Sequence, residues 1–149
     1  MTEIDVNLVL VSVDGSEESR EAVDYAITVA AEYGASVHAL YVFDEDVVRA
    51  VDRGVIDESE VAADSEAFTD FVARRAEAAG VPHSNSIAHG FSTSVKTVHP
   101  GSVTLDTAEE LDADFVVIPR EPVSGDPGEV LGKAAEYVLL YASQPVLSV

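Results

Sequence analysis

Apolar and polar positions along this chain predict strands and helices in regular succession. Residues 7–13 form an almost continuous apolar run of strand length, as expected for a strand covered on both faces. Residues 17–33 then repeat apolar positions every three or four residues, which predicts a helix with one buried stripe. Asp14-Gly15 between them indicates a tight turn, and Ser16 can cap the helix. This stretch therefore begins a strand–helix–strand unit.

The same succession continues to the end of the sequence. Further strands are predicted at 35–43, 115–118 and 145–149, and further helices at 58–79, 103–111 and 129–142. One more strand lies either at 84–89 or at 94–98, and the pattern favours neither. Because such connections form right-handed parallel crossovers, the succession predicts an α/β fold with an open five-stranded parallel sheet and helices on both faces.

The periodicity also predicts which side chains face the core. In the second strand Val37, Ala39 and Tyr41 are expected on one face, with His38, Leu40 and Val42 on the other. The expected stripe of the second helix includes Phe68, Phe71, Val72, Ala76 and Ala79. In the short third helix Ala108 and Leu111 are expected to face inward, after a break at residues 99–102.

Length and composition favour one domain over residues 1–149. No apolar run reaches the roughly 18 residues of a membrane span. The acidic start at residues 1–5 lacks the basic region that opens a signal peptide. The absence of Cys excludes a disulfide framework and thiolate chemistry. Together these observations favour a cytoplasmic protein.

Charge narrows the choice of partners. The chain has 28 Asp and Glu against 8 Lys and Arg, which gives a formal net charge of −20. A field of that sign repels nucleic acid and anionic membranes, so neither is expected as a partner. The acids are spread over the whole chain, which favours adaptation to a high-salt cytoplasm, where repulsion is screened within about 3 Å at 1 M salt.

The residue patterns favour no catalytic or metal site. The four histidines, His38, His83, His89 and His99, are too scattered in sequence for a typical metal-ligand spacing. The early serines Ser12, Ser16 and Ser19 lie outside any Gly-x-Ser-x-Gly nucleophile elbow. The sequence therefore predicts a protein that is not an enzyme.

Several segments together resemble the universal stress protein family. They are Val11-Ser12-Val13-Asp14-Gly15-Ser16, Tyr33-Gly34-Ala35 with His38-Ala39-Leu40-Tyr41-Val42, Ala113-Asp114-Phe115-Val116-Val117-Ile118, and the end from Gly132 to Pro145-Val146-Leu147-Ser148-Val149. The resemblance implies a Rossmann-like fold related to adenine-nucleotide alpha-hydrolase domains, a role in stress survival and usually a homodimer. It places the last strand at the two-fold interface, where pairing would cover an open sheet edge.

One branch of this family binds ATP through Gly-x-x-Gly, nine residues, then Gly followed by Ser or Thr. Laid back from Gly132, this spacing puts Pro119 and Pro122 on the first two glycine positions and Lys133 on the hydroxyl position. Glycines there let backbone N–H groups approach phosphates, whereas proline has no N–H to donate. The motif is therefore degenerate, and neither ATP nor another cofactor is expected to bind tightly.

Two further positions match the nucleotide site by resemblance. Asp14 matches the acid after the first strand that faces the nucleotide, and Val42 matches the position beside the adenine. A different interpretation of Asp14 is a turn residue that hydrogen-bonds its own backbone. Gly132 and Lys133 could still offer a helix N-terminus and an ammonium group to AMP or a smaller anion, or Lys133 could pair with a nearby glutamate. The expected function is a dimeric binding or signalling module with an unknown protein partner, and the alternative is a nucleotide switch or slow ATP hydrolase.

Overall fold

The structure is a computed structural model that describes residues 4–43, 50–89, 100–119 and 130–149, with the backbone alone at 89, 100 and 130–134. In chain order the elements are β1 (Leu8–Val13), α1 (Glu17–Tyr33), β2 (Ser36–Phe43), α2 (Glu58–Ala79), β3 (His83–His89), α3 (Pro100–Glu110), β4 (Phe115–Ile118), α4 (Val130–Tyr141) and β5 (Val146–Ser148). The strands pair in parallel in the order β3-β2-β1-β4-β5. The predicted five-stranded parallel sheet is confirmed.

Local sequence sets the ends of the two long helices. Ser16 is extended and its side chain accepts a hydrogen bond from the Ser19 amide, so it caps α1 as predicted. At the start of α2 the Asp57 carboxylate accepts from the Ser59 amide at 3.1 Å. Gly34 and Gly80 end these helices in the left-handed region, with φ of 67° and 71°. Both helices therefore begin and end where their caps dictate.

The sheet separates two hydrophobic clusters, which define its two faces. Face one carries α1 and α2, and face two carries α3 and α4. The buried side chains of face one include Val9, Val11, Val13, Val37, Ala39, Tyr41, Val23, Ala26, Phe68, Val72 and Val117. Those of face two include Leu10, Leu40, Val42, Ala108, Val116, Ile118, Ala135 and Val138. The predicted alternation along β2 is confirmed.

An arginine–phenylalanine cluster joins α1 to α2 on face one. The guanidinium carbons of Arg20 and Arg75 lie 4.9 and 5.0 Å from the centroid of the Phe71 ring. Arg75 also forms a half-exposed ion pair with Asp24, at 3.5 Å. Cation–π contacts of this kind stabilise a helix pair by about 0.5–1 kcal/mol each at exposed sites.

Four sequence predictions need correction or completion. Residues 83–89 form the third sheet strand, while 94–98 lie outside the described residues. The predicted break at 99–102 is wrong, because α3 already begins at Pro100, and proline is tolerated in the first turn of a helix. Leu111 lies beyond the end of α3 and is 39% exposed instead of inward. Ala79 is also exposed, since the α2 stripe has rotated away from the sheet at its last turn.

The two edges of the sheet differ in chemistry. At the β3 edge His38 of β2 holds two serines, with its Nδ1 2.7 Å from Ser84 Oγ and its Nε2 2.8 Å from Ser86 Oγ. At the other edge every residue of β5 is half-buried. In the part of the chain that the structure describes, no helix is long and apolar enough to cross a membrane.

Candidate functional site

The predicted site residues come together at the carboxyl ends of the central strands. Asp14 directly follows β1, Val42 lies at the same level near the end of β2, and Pro119 directly follows β4. The strand order reverses direction between β1 and β4, which is where open parallel sheets bind ligands. The residues that the sequence predicted for the site thus share one end of the sheet.

Asp14 is held by the first turn of α1. Its Oδ1 accepts hydrogen bonds from the Ser16 amide at 3.1 Å and from the Ser19 hydroxyl at 2.6 Å. The Ser16 hydroxyl lies 2.5 Å from the same oxygen, and the Asp14 amide donates to Ser19 Oγ at 2.9 Å. Asp14 is therefore a turn residue that organises the loop, and Oδ2 is the carboxylate oxygen from which it could contact a ligand.

Gly15 is required by both its backbone and its neighbour. Its φ is +86°, a conformation that residues with a side chain rarely adopt. A Cβ at this position would also lie 2.7 Å from the Tyr41 hydroxyl oxygen, which donates a long hydrogen bond of 3.4 Å to the Asp14 carbonyl. Burial raises the pKa of Tyr41, and the negative charges of Asp14 and Asp64 raise it further. The hydroxyl therefore stays protonated at neutral pH and serves as a donor.

A buried hydroxyl pair includes Ser12, two residues before Asp14. Ser12 Oγ and Thr104 Oγ1 are 2.8 Å apart, and both side chains are fully buried. The pair joins β1 to α3 on face two, because Ser12 alternates with the face-one valines of β1. No local sequence pattern indicates this contact, since 92 residues separate its partners and neither residue type marks a core position.

Val42 is almost fully buried in the face-two cluster, below the end of the sheet. Pro119 is buried as the residue that leaves β4. Gly132 and Lys133 lie in the first turn of α4, at the same end of the sheet, where helix N–H groups are unpaired. Pro122 lies outside the described residues. The described positions thus converge on one end of the sheet.

This arrangement supplies polar backbone and one carboxylate but little catalytic machinery. Within the described residues no three His, Cys, Asp or Glu side chains are grouped to hold a metal ion. His38, the buried histidine, lies on the β3 side and is occupied by two serines; its burial lowers the pKa of the imidazole. The geometry fits ligand binding by hydrogen bonds better than proton transfer.

Solved structures share this fold. A universal stress protein in complex with cAMP has 23% sequence identity and a TM-score of 0.68, with 97% of each chain covered. The universal stress protein UspA from Lactobacillus plantarum has 21% identity and a TM-score of 0.68, with 99% of each chain covered. A universal stress protein from Archaeoglobus fulgidus in complex with dAMP has 17% identity and a TM-score of 0.64, with 98% of each chain covered.

Sequence comparison gives the family. No curated protein sequence matches the chain. The family model described as the universal stress protein family matches residues 7–149, which include every strand and helix and all the site positions described above. The chain therefore belongs to the universal stress protein family.

Proposed function

We propose that this protein is a non-enzymatic, homodimeric binding module of the stress response that binds ATP weakly and works in a salt-rich cytoplasm. The observation that carries the proposal is the open β5 edge and the apolar residues beside it. Apolar side chains that a folded chain leaves exposed together mark an interaction surface.

The exposed residues lie where a second copy could cover them. Leu139, Leu140 and Tyr141 end α4, and Leu140 is 70% exposed. Just beyond them, β5 has uncharged side chains, and no other described strand pairs with its outer side. An uncharged open edge is a template for pairing with another strand. A two-fold contact would cover the same residues on both protomers.

Antiparallel pairing of β5 with its copy sets the rest of the interface. This pairing would place the two-fold axis perpendicular to the sheet. The sheet would then continue from one protomer into the other. Because α4 packs on face two and contacts β5, the two α4 helices would then be neighbours. Their separation would be close to the 8–10 Å of packed helices, with the exposed leucines between them.

Weak ATP binding follows from Pro119 and Pro122. Each proline removes a backbone donor from the segment that would cradle phosphates, and each lost bond to a charged group costs about 1.5–3 kcal/mol. Glu121, Asp126 and Glu129 add negative charge to the same stretch of sequence. Lys133 supplies a single ammonium in compensation.

Calorimetry with Mg-ATP tests the nucleotide part of the proposal. In molar KCl we expect no binding tighter than about 100 μM, or about −5.5 kcal/mol. The matched variant carries Pro119→Gly, Pro122→Gly and Lys133→Ser, which restores the motif and should tighten binding on the order of 10²-fold. A micromolar dissociation constant for the parent chain would show that the prolines leave the site intact.

Light scattering in high salt tests the assembly. We expect about twice the chain mass of 15.7 kDa, and a lower mass after deletion of residues 145–149. A parent chain that is monomeric over the whole concentration range would end the proposal of a dimer.

A nucleotide switch is the second candidate. It is favoured by the two solved structures of similar fold in complex with cAMP and dAMP. Both ligands carry one phosphate, which needs fewer loop donors than a triphosphate. Mass spectrometry of molecules released from the purified, denatured protein separates the candidates: a co-purifying adenine mononucleotide favours the switch.

A further inference from the structure

The two faces of the sheet are covered unequally near β5. On face two, α4 reaches this edge. On face one, α1 is the described helix nearest to it, and α1 packs over β1, β2 and β4. The face-one side chains of β4 and β5, Phe115, Leu147 and Val149, consequently remain only half-buried at the border of the cluster.

The flank of α1 that faces this uncovered area is also apolar. Arg20 and Asp24 mark the opposite flank, because they contact Phe71 and Arg75 of α2. Tyr25, Val29 and Tyr33 follow one another at intervals of four residues and form one stripe on the β4 side. Val29 packs on the cluster, while both tyrosines are exposed, Tyr33 by 53%.

Dimerisation would turn this area into a slot. This step rests on the proposed β5 pairing, which continues the sheet from one protomer into the other. Strands spaced about 4.8 Å apart then place the two α1 helices roughly 20–25 Å from each other on face one. A helix packs on its neighbours at about 8–10 Å, so the gap has the width for one further helix on the two-fold axis. We call this gap the α1 slot.

Charge indicates the kind of helix that would fit. Glu21 and Glu32 lie on the solvent side of the tyrosine stripe and are exposed. The two-fold axis doubles this acidic rim, within a molecule that carries −20 per chain. An apolar floor between acidic rims complements an amphipathic helix with a hydrophobic stripe and basic flanks.

We propose that the α1 slot of the dimer is a docking site for one basic amphipathic helix of a partner protein. The apolar stripe of that helix would rest on Leu147, Val149 and Phe115 of both protomers. Its sides would contact Tyr25 and Tyr33, and its Lys or Arg side chains would reach Glu21 and Glu32. Because the site lies on the symmetry axis, each dimer takes one helix.

A model peptide tests this proposal. The probe is a leucine–lysine peptide of about 18 residues, roughly 27 Å long as a helix, with leucines on one stripe and lysines beside it. Its control has the same composition in an order that forms no stripe. Calorimetry in about 1 M KCl, which screens general attraction between opposite charges, should give one striped peptide per two chains and a micromolar dissociation constant.

Variants locate the binding. The double variant Tyr25→Ser, Tyr33→Ser should bind the striped peptide at least about tenfold more weakly than the parent chain. Ile87→Ser is the matched control, because Ile87 is equally exposed on face one but lies on β3 at the far edge. Equal affinity in the tyrosine variant, or for the unstriped peptide, would overturn the slot.

Light scattering of the same samples separates the two proposals. A dimer that does not bind the striped peptide overturns the slot and leaves the dimer standing. A monomer overturns both, because the slot then loses its second wall. A mass of four chains would show that a second dimer fills the slot and would overturn the partner helix.

Discussion

The two edges of the sheet are built from opposite chemistry. Strand β3 presents serine, asparagine and histidine side chains, and two of its serines are held by the imidazole of His38. Strand β5 presents valine and leucine, next to exposed leucines of α4. Within the described residues neither edge strand has a partner on its outer side, so we expect the side chains to decide which edge becomes an interface. A polar edge can stay in water, whereas an apolar edge gains free energy when it is covered.

The largest expected effect is that of salt on the stability of the whole fold, and it acts on both edges at once. Lowering KCl from about 3 M to about 0.1 M lengthens the screening distance from below 3 Å to about 10 Å. With a charge of −20 and a total stability of about 5–15 kcal/mol, we expect a loss of at least about 3 kcal/mol and a melting temperature lower by roughly 10 °C. Circular dichroism during dialysis, with a thermal melt at each salt concentration, measures the change in melting temperature. An unchanged melting temperature at low salt would contradict adaptation to high salt.

A charged side chain placed on each edge strand in turn tests whether the apolar β5 edge, and not the polar β3 edge, forms the interface. Leu147→Lys should weaken the dimer on the order of tenfold or more, because two half-buried leucines beside the paired strands are lost per dimer and two ammonium groups come close together. Ile87→Lys, on the polar edge, should leave the mass unchanged. Light scattering over a concentration series at constant KCl measures both.

Leu147 also packs on the face-one cluster, so its replacement can disturb the chain itself. Leu140→Glu provides a second variant, because Leu140 is 70% exposed and its loss removes little from the isolated fold. A dimer that persists in both variants, with circular dichroism unchanged, would mean that neither β5 nor α4 forms the interface.

The smallest expected effect lies at the polar edge. His38→Leu removes two hydrogen bonds and should lower stability at pH 8 by about 1–3 kcal/mol. Burial lowers the pKa of His38 from its ordinary value of 6.5, so below that pH the unfolded state binds the proton more tightly. His38 therefore costs the parent chain stability as the pH falls through 6.5, and the variant lacks this contribution.

Denaturant unfolding at pH 8 and pH 5.5 in constant KCl measures this difference. The gap in unfolding free energy between parent and His38→Leu should narrow at the lower pH. A gap that stays constant would show that the His38 imidazole titrates alike in the folded and unfolded chain.

The sequence predicted elements well wherever one residue carries a local signal. Ser16 and Gly34 bound α1, and Gly80 ends α2, because caps act on the nearest turn alone. The start of α3 was missed for the opposite reason: Pro100-Gly101 is a breaker by composition, yet proline fits a first helical turn. At Gly101 an added Cβ would lie only 2.7 Å from the Tyr137 ring. Close packing of α3 on α4 therefore explains this glycine, and no local sequence pattern indicates that contact.

The candidate site also contains both kinds of feature: residues with a local sequence signal and contacts between residues far apart in the sequence. Asp14 was found because an acid between a strand and a helix N-terminus is a local pattern. The contacts of Gly15 with Tyr41 and of Ser12 with Thr104 join residues 26 or more positions apart, so no local pattern contains them. Pro119 and Pro122 were predicted from motif spacing, and Pro122 lies outside the described residues. The part that Asp14, Pro119 and Pro122 play in nucleotide binding stays a prediction.

In the salt-rich cytoplasm that we propose for this protein, the cluster of Arg20, Phe71 and Arg75 would keep more of its attraction than an ion pair does. At molar salt an ion pair such as Arg75–Asp24 loses most of its attraction, because mobile ions replace each partner. A flat guanidinium pressed on an aromatic ring is weakly hydrated and in direct contact, so dissolved ions have little room to compete. Lysine, a strongly hydrated point charge, would serve poorly there. This chain has six arginines and two lysines. Two of the arginines, Arg20 and Arg75, contact the Phe71 ring, and direct packing of the guanidinium on the ring contributes more there than long-range charge attraction.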